Sequence, residues 1–121
     1  MRTLPATAII LTVSFANPTA ERTHGPIATA FFDGDRLLAR CERNEPACYA
    51  YVAGVADLLA TATAYGTALA GLSVCMPSDV TVQRTAEIAM DFLKNHPEER
   101  RDGAAGLVAV SLQEAFPCTS L

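Results

Sequence analysis

Residues 41–57 read CERNEPACYAYVAGVAD, and they contain two cysteines and the start of the longest apolar helical pattern in the chain. Cys41 and Cys48 stand on either side of Asn44-Glu45-Pro46. Proline is tolerated in the first turn of a helix, with the preceding Asn44 or Glu45 as cap, so a helix is predicted to start here. Apolar and small residues then recur mostly at three- and four-residue steps. That spacing predicts one long amphipathic helix.

The inner face of this helix is predicted to consist largely of small residues. Gly54 lies in its middle and costs about 1 kcal/mol against alanine, so we interpret it as a site where a neighbouring helix approaches closely. Asp57 is either a buried hydrogen-bond anchor or a charge on the solvent side. The residues predicted to face inward are Tyr49, Val52, Ala53, Ala56, Leu59, Ala60 and Thr63.

Three further helices are predicted around it, and no alternating strand pattern of useful length is present. A first helix covers 36–41, capped by Asp33 or Asp35. A third starts after Thr81 and stops around residues 95–96, and Pro97-Glu98-Glu99 is predicted to open a fourth. The inner face of the third is Thr85, Ile88, Ala89, Phe92 and Leu93. The inner face of the fourth is Ala104, Leu107, Val108, Ser111, Leu112, Ala115 and Phe116. The fold class is therefore all-α, a small bundle of about four helices.

The first twenty residues have the pattern of a secretory signal peptide. Arg2 precedes an uncharged, largely apolar run, and cleavage after Ala16 or Ala20 fits the small residues there. We therefore expect a signal peptide over 1–20, an exported helical domain over 21–121, and no membrane span after cleavage. The net charge of -4 over 121 residues argues against a nucleic-acid partner.

Four cysteines in a small exported chain indicate two disulfides, which would stabilise the bundle. Three pairings are open. Cys41–Cys48 with Cys75–Cys118 is the simplest, because the third and fourth helices should be antiparallel. A zinc site is the rival reading, but His24 and His96 show no ligand spacing with the cysteines. We expect no metal and no cofactor.

An ordered set of motifs resembles the Rap/Tai domain and covers about residues 32–118. The set is Gly34-x2-Leu37-x3-Cys41, Cys48-x2-Tyr51-x2-Gly54-x2-Asp57, Cys75-x-Pro77-x2-Val80-Thr81, Leu93-x3-Pro97 and Phe116-Pro117-Cys118. The resemblance implies a periplasmic, non-catalytic immunity protein that blocks the cleft of a peptidoglycan amidase delivered by type VI secretion. It also implies a homodimer. The matching positions specify the fold, so the identity of the toxin does not carry over.

An inhibitor that enters a cleft needs a protruding loop on a rigid scaffold. The segments 66–74 and 95–102 are candidates for this loop. An ordinary helix connection is the alternative reading of the second segment. The candidate partner-binding residues that it offers are Asn95, His96, Glu98, Glu99 and Arg100.

Two other function classes compete with an immunity protein. A small periplasmic stress or chaperone-like helical protein would expose apolar surface at low pH, which a hydrophobic dye would detect. An enzyme is disfavoured because no Ser-His-Asp or Cys-His arrangement is present and the cysteines serve better as disulfides. We predict no catalytic residues.

Overall fold

The computed structural model describes residues 30–119 and the single positions 3, 5, 10, 12 and 14. The predicted signal peptide over 1–20 and its cleavage site therefore lie outside the described residues, apart from those single positions. In the described part of the chain there are four α-helices and no strands, which confirms the predicted fold class. They are α1 (Gly34–Glu42), α2 (Pro46–Ala64), α3 (Val82–Asn95) and α4 (Ala104–Ala115).

Side-chain caps fix the starts of two helices. Asp33 accepts a hydrogen bond from the backbone N–H of Arg36 at 2.8 Å, and Thr81 accepts one from that of Arg84 at 3.1 Å. Each cap satisfies a backbone donor that has no partner inside the helix. Both predicted caps are confirmed. α2 begins instead with Pro46, and Glu45 at its cap position makes no side-chain cap hydrogen bond.

Thr81→Ala is expected to lower the free energy of unfolding by about 1 kcal/mol, because the first turn of α3 loses its cap. Thr67→Ala is the matched control, since Thr67 is exposed and caps no helix. Urea unfolding followed by circular dichroism measures both. Equal losses in the two variants would contradict the capping role of Thr81.

The core lies between the four helices, and each helix contributes a buried face. Val52, Ala56 and Leu59 are the buried members of the predicted α2 face, and α3 and α4 bury most of theirs. Asp57 is exposed, so the solvent-side reading is correct. The largest fully buried side chains are Leu37, Leu93, Leu112, Val52, Val108 and Cys48.

One disulfide joins α1 to α2, and the other joins the segment before α3 to the segment after α4. Cys41–Cys48 has an S–S distance of 2.03 Å and Cys75–Cys118 one of 2.02 Å, which is the pairing preferred from the sequence. Cys41–Cys48 crosses the turn between α1 and α2. Two ion pairs lock the same turn, since Glu45 accepts from Arg40 at 2.8 Å and from Arg43 at 2.7 Å. The Arg40 hydrogen bond is the main cause of a lowered pKa of Glu45.

The predicted start of the fourth helix is wrong. Pro97–Glu99 forms only a short 3-10 turn, and α4 begins at Ala104. The physical reason is tertiary: the carbonyl groups of Arg100 and Asp102 accept hydrogen bonds from the N–H groups of Asp35 and Gly34, at 3.0 and 3.1 Å. Because these carbonyl groups accept hydrogen bonds from the start of α1, residues 100–102 form an irregular connection and do not continue the 3-10 turn as a helix.

The interpretation of Gly54 as a close approach of two helices is also wrong. Gly54 is exposed, and a Cβ added there would meet no atom within 4 Å. Gly34 has the role expected of Gly54, because a Cβ there would lie 2.7 Å from Leu107 Cδ1 and 2.9 Å from Arg100 Cα. The periodicity of α2 did not distinguish its inner side from its outer side at this position.

α2 is long and apolar enough to cross a membrane by length and composition alone, with 19 residues and a mean hydropathy of 1.3. Of its most apolar window, 22% is buried. Core helices of soluble proteins pass the same test of length and composition, and α2 lies against α1, α3 and α4, so the evidence for a span is weak. The absence of a membrane span after signal cleavage stays a prediction.

An aromatic cluster joins the chain before α1 to α2 and α4. The rings of Phe32 and Tyr51 meet edge to face at 5.3 Å, and the Arg40 guanidinium lies 5.2 Å from the centroid of the Phe32 ring. Phe32 is half-buried, whereas its neighbour Phe31 is 97% exposed. Burial raises the pKa of Tyr51 above its ordinary 10.0, and a hydrogen bond from the Ala105 backbone partly opposes this rise.

Because of this raised pKa, the free energy of unfolding is expected to decrease at alkaline pH. The neutral phenol is favoured in the folded state, so its contribution is complete below the unfolded pKa of 10.0 and is lost as the pH rises through the higher folded pKa. We expect urea midpoints to fall as the pH rises above about 10, and to fall less in Tyr51→Phe. Tyr65→Phe is the control, because Tyr65 is 84% exposed. An equal effect of both variants would refute the role of Tyr51.

Candidate functional site

The α3–α4 connection, residues 95–103, is held against the start of α1. Besides the two backbone hydrogen bonds from Gly34 and Asp35, the N–H of Ala104 donates to the carbonyl of Phe32 at 2.9 Å. Asp33 and Gly103 also pair as an isolated antiparallel bridge. The connection is therefore a braced segment and not a free loop, which lowers the entropy cost of using it to bind a partner.

Two of the five candidate side chains contact other residues of the protein. The His96 ring stacks on Phe92 with centroids 4.0 Å apart, and its Nδ1 lies 2.8 Å from the Phe92 carbonyl oxygen. Arg100 Nε is buried and lies 3.2 Å from Asp35 Oδ1, without the alignment of a hydrogen bond. Both side chains brace the connection.

The other three candidates differ in exposure. Asn95 and Glu98 are exposed, whereas Glu99 is half-buried and its backbone both donates to His96 and accepts from Asp102. The structure thus brings the five predicted residues into one segment, with Asn95 and Glu98 as its outward side chains.

The second candidate segment, 66–74, contains a tight two-residue turn. Leu69 and Leu72 exchange backbone hydrogen bonds at 3.1 and 2.8 Å, and the residues between them, Ala70 and Gly71, have φ of 51° and 77°. The left-handed conformation costs free energy for alanine, so contacts outside the turn must hold Ala70 in it. Val74 anchors it, because its side chain is buried and its N–H donates to Thr63 Oγ1 at 3.1 Å.

A groove of about 390 Å³ lies between the α1–α2 turn and α3, and sequence reasoning missed it. On the α3 side its lining residues follow helical spacing, and they end at Lys94, next to Asn95 in the chain. The groove therefore adjoins the α3–α4 connection. Its lining residues are Cys41, Glu42, Asn44, Tyr49, Gln83, Glu87, Met90 and Lys94.

The described residues offer no cluster of three or more His, Cys, Asp or Glu side chains that could hold a metal ion. All four cysteines are used in disulfides. The cysteines therefore cannot serve as zinc ligands, because zinc binds cysteine as a thiolate and a disulfide sulfur is not a thiolate.

Comparison with known proteins decides the family. The family model described as Rap1a immunity proteins matches residues 33–118. The chain belongs to this family. The match covers well over half of the 121 residues and runs from the cap of α1 to the second cysteine of the long disulfide. No curated protein and no solved structure matches the chain.

Family membership makes the chain an immunity protein, of a kind that acts against a secreted effector by binding it. Such proteins are generally non-catalytic. The segments that could contact an effector are the braced connection, the adjoining groove and the turn at 69–72.

Proposed function

We propose that this protein is a periplasmic immunity protein that binds and inhibits a peptidoglycan amidase effector of a type VI secretion system. The family match carries the proposal. The predicted signal peptide and the two disulfides support the compartment, because disulfides persist in oxidising environments such as the periplasm. The resemblance to Rap/Tai domains supports the class of effector.

The proposed mechanism is steric. The α3–α4 connection enters or covers the active-site cleft of the amidase, and Asn95 and Glu98 are the side chains that contact the effector. His96 and Arg100 act indirectly by positioning the connection. His96 contacts the Phe92 carbonyl group, and Arg100 lies beside Asp35. A rigid inhibitor loses less conformational entropy on binding than a mobile one, which favours tight inhibition.

The charge of Glu98 provides a direct test of this surface. Glu98→Lys reverses a charge on the outward side of the connection, and we expect the dissociation constant for the amidase to rise at least about tenfold. Glu114→Lys is the matched control, because Glu114 is an exposed acid on α4, away from the connection. Biolayer interferometry measures both. If Glu114→Lys weakens binding and Glu98→Lys does not, the contact surface lies elsewhere.

We also propose a homodimer, on the resemblance to Rap/Tai domains. Sedimentation velocity of the purified protein tests it. A single species at the mass of two chains is expected, and a monomer at all concentrations would contradict it.

A further inference from the structure

The two disulfides differ sharply in their access to solvent. Cys41 and Cys48 are 4% and 0% exposed and belong to the hydrophobic core. Cys75 and Cys118 are both exposed. Thiol–disulfide exchange begins with attack of a thiolate on one sulfur, so access to the sulfur controls its rate. Only the second bond is open to attack while the protein stays folded.

The immediate sequence neighbours of the exposed cysteines are also uncharged. The two residues on each side of Cys75 and of Cys118 include no ionisable side chain, whereas Arg40, Glu42 and Arg43 surround Cys41. An approaching thiolate is an anion, and none of these sequence neighbours of the exposed pair carries a carboxylate that would repel it.

From these observations we propose that Cys75–Cys118 is an exchange site for dithiols on the folded protein. A thiolate of the dithiol attacks one sulfur, forms a mixed disulfide and releases the other cysteine as a thiolate. The second thiol of the dithiol then displaces the first cysteine. Two electrons and two protons pass to the cysteines, and the dithiol leaves as a disulfide. A protein dithiol of an exported oxidoreductase is the partner of matching chemistry.

Opening this bond removes the covalent tie between the α2–α3 connection and the chain that follows α4. The other ties of the connection to the bundle include the buried side chain of Val74, the partly buried Leu69, Leu72 and Met76, the hydrogen bond from Val74 to Thr63, and one from the N–H of Cys75 to the carbonyl of Phe116 at 2.9 Å. The core disulfide joins α1 to α2 directly and does not involve that connection. Exchange is therefore a local modification, and it is independent of which effector the protein binds.

The test treats the oxidised full-length chain with dithiothreitol and traps free thiols at intervals with iodoacetamide. Mass spectrometry then identifies the alkylated cysteines. We expect Cys75 and Cys118 to be labelled at least about tenfold faster than Cys41 and Cys48. Equal rates, or labelling of the core pair first, would overturn the proposal.

The urea dependence of labelling separates attack on the folded state from attack after unfolding. Below the unfolding transition, the labelling rate of Cys75 and Cys118 should not change with urea, whereas that of Cys41 and Cys48 should rise. A rise for both pairs would show that the exposed bond opens only in the unfolded chain and would contradict the proposal. Chymotrypsin provides a second readout, because cleavage near Leu69 and Leu72 should increase once the exposed pair is reduced.

Discussion

Replacing Cys75 and Cys118 together by alanine is expected to lower the free energy of unfolding by about 4 kcal/mol. This bond closes a separation of 43 residues, and the entropy that it removes from the unfolded chain grows with loop length. Small domains have a total stability of about 5–15 kcal/mol, so the loss would take a large share of it.

Urea unfolding of the oxidised protein and of the double variant measures this loss. The two alanines replace exposed residues outside the core, so little core packing is lost and the change reports mainly on the cross-link. The Cys41–Cys48 bond closes a separation of only 7 residues and is expected to contribute about 2.5 kcal/mol through the same entropy. A loss below about 1 kcal/mol on removing the long bond would contradict this account of the stability.

Gly34→Ala is expected to cost about 3 kcal/mol, because the added methyl group has no room. Its Cβ would lie 2.7 Å from Leu107 Cδ1, 2.9 Å from Arg100 Cα and 3.0 Å from the Arg100 carbonyl oxygen. Two of these three atoms belong to the backbone, which cannot move without breaking the hydrogen bonds between α1 and the connection. The substitution should therefore also loosen Asn95 and Glu98.

Two other glycines provide matched controls for Gly34. A Cβ at Gly54 or Gly106 would meet no atom within 4 Å, and both residues lie inside helices. Gly54→Ala and Gly106→Ala are expected to raise the free energy of unfolding by up to about 1 kcal/mol each. Thermal and urea unfolding of the three variants measure the contrast. A similar change in all three would show that the contact of Gly34 with Arg100 is unimportant.

The parts of the fold that local chemistry controls could be predicted from the sequence. The third helix is an example, because Thr81 marks its start, Pro97 follows its end and an apolar face runs between them. The disulfide pairing also followed, since antiparallel third and fourth helices bring Cys75 close to Cys118. These features depend on neighbours in the chain or on one simple pairing of helices.

The parts that depend on distant contacts could not be predicted. Pro97-Glu98-Glu99 has the chemistry of a helix start, but hydrogen bonds from Gly34 and Asp35 draw the chain that follows against α1. The need for glycine at position 34 likewise comes from Arg100 and Leu107, far away in sequence.

In the candidate site, too, local features could be predicted from the sequence and distant contacts could not. Sequence reasoning placed the five polar residues in one connection, but it could not show that His96 stacks on Phe92 or that Arg100 lies against Asp35. The groove combines the α1–α2 turn with one side of α3, so no single motif marks it.

The central claim is that the protein inhibits a cell-wall amidase by binding it, and titration calorimetry with the amidase encoded beside it tests this most directly. The account predicts a complex with a dissociation constant of about 10 nM or tighter, and loss of peptidoglycan hydrolysis at equimolar protein. No detectable heat of binding at about 10 μM, with the amidase still fully active, would contradict it.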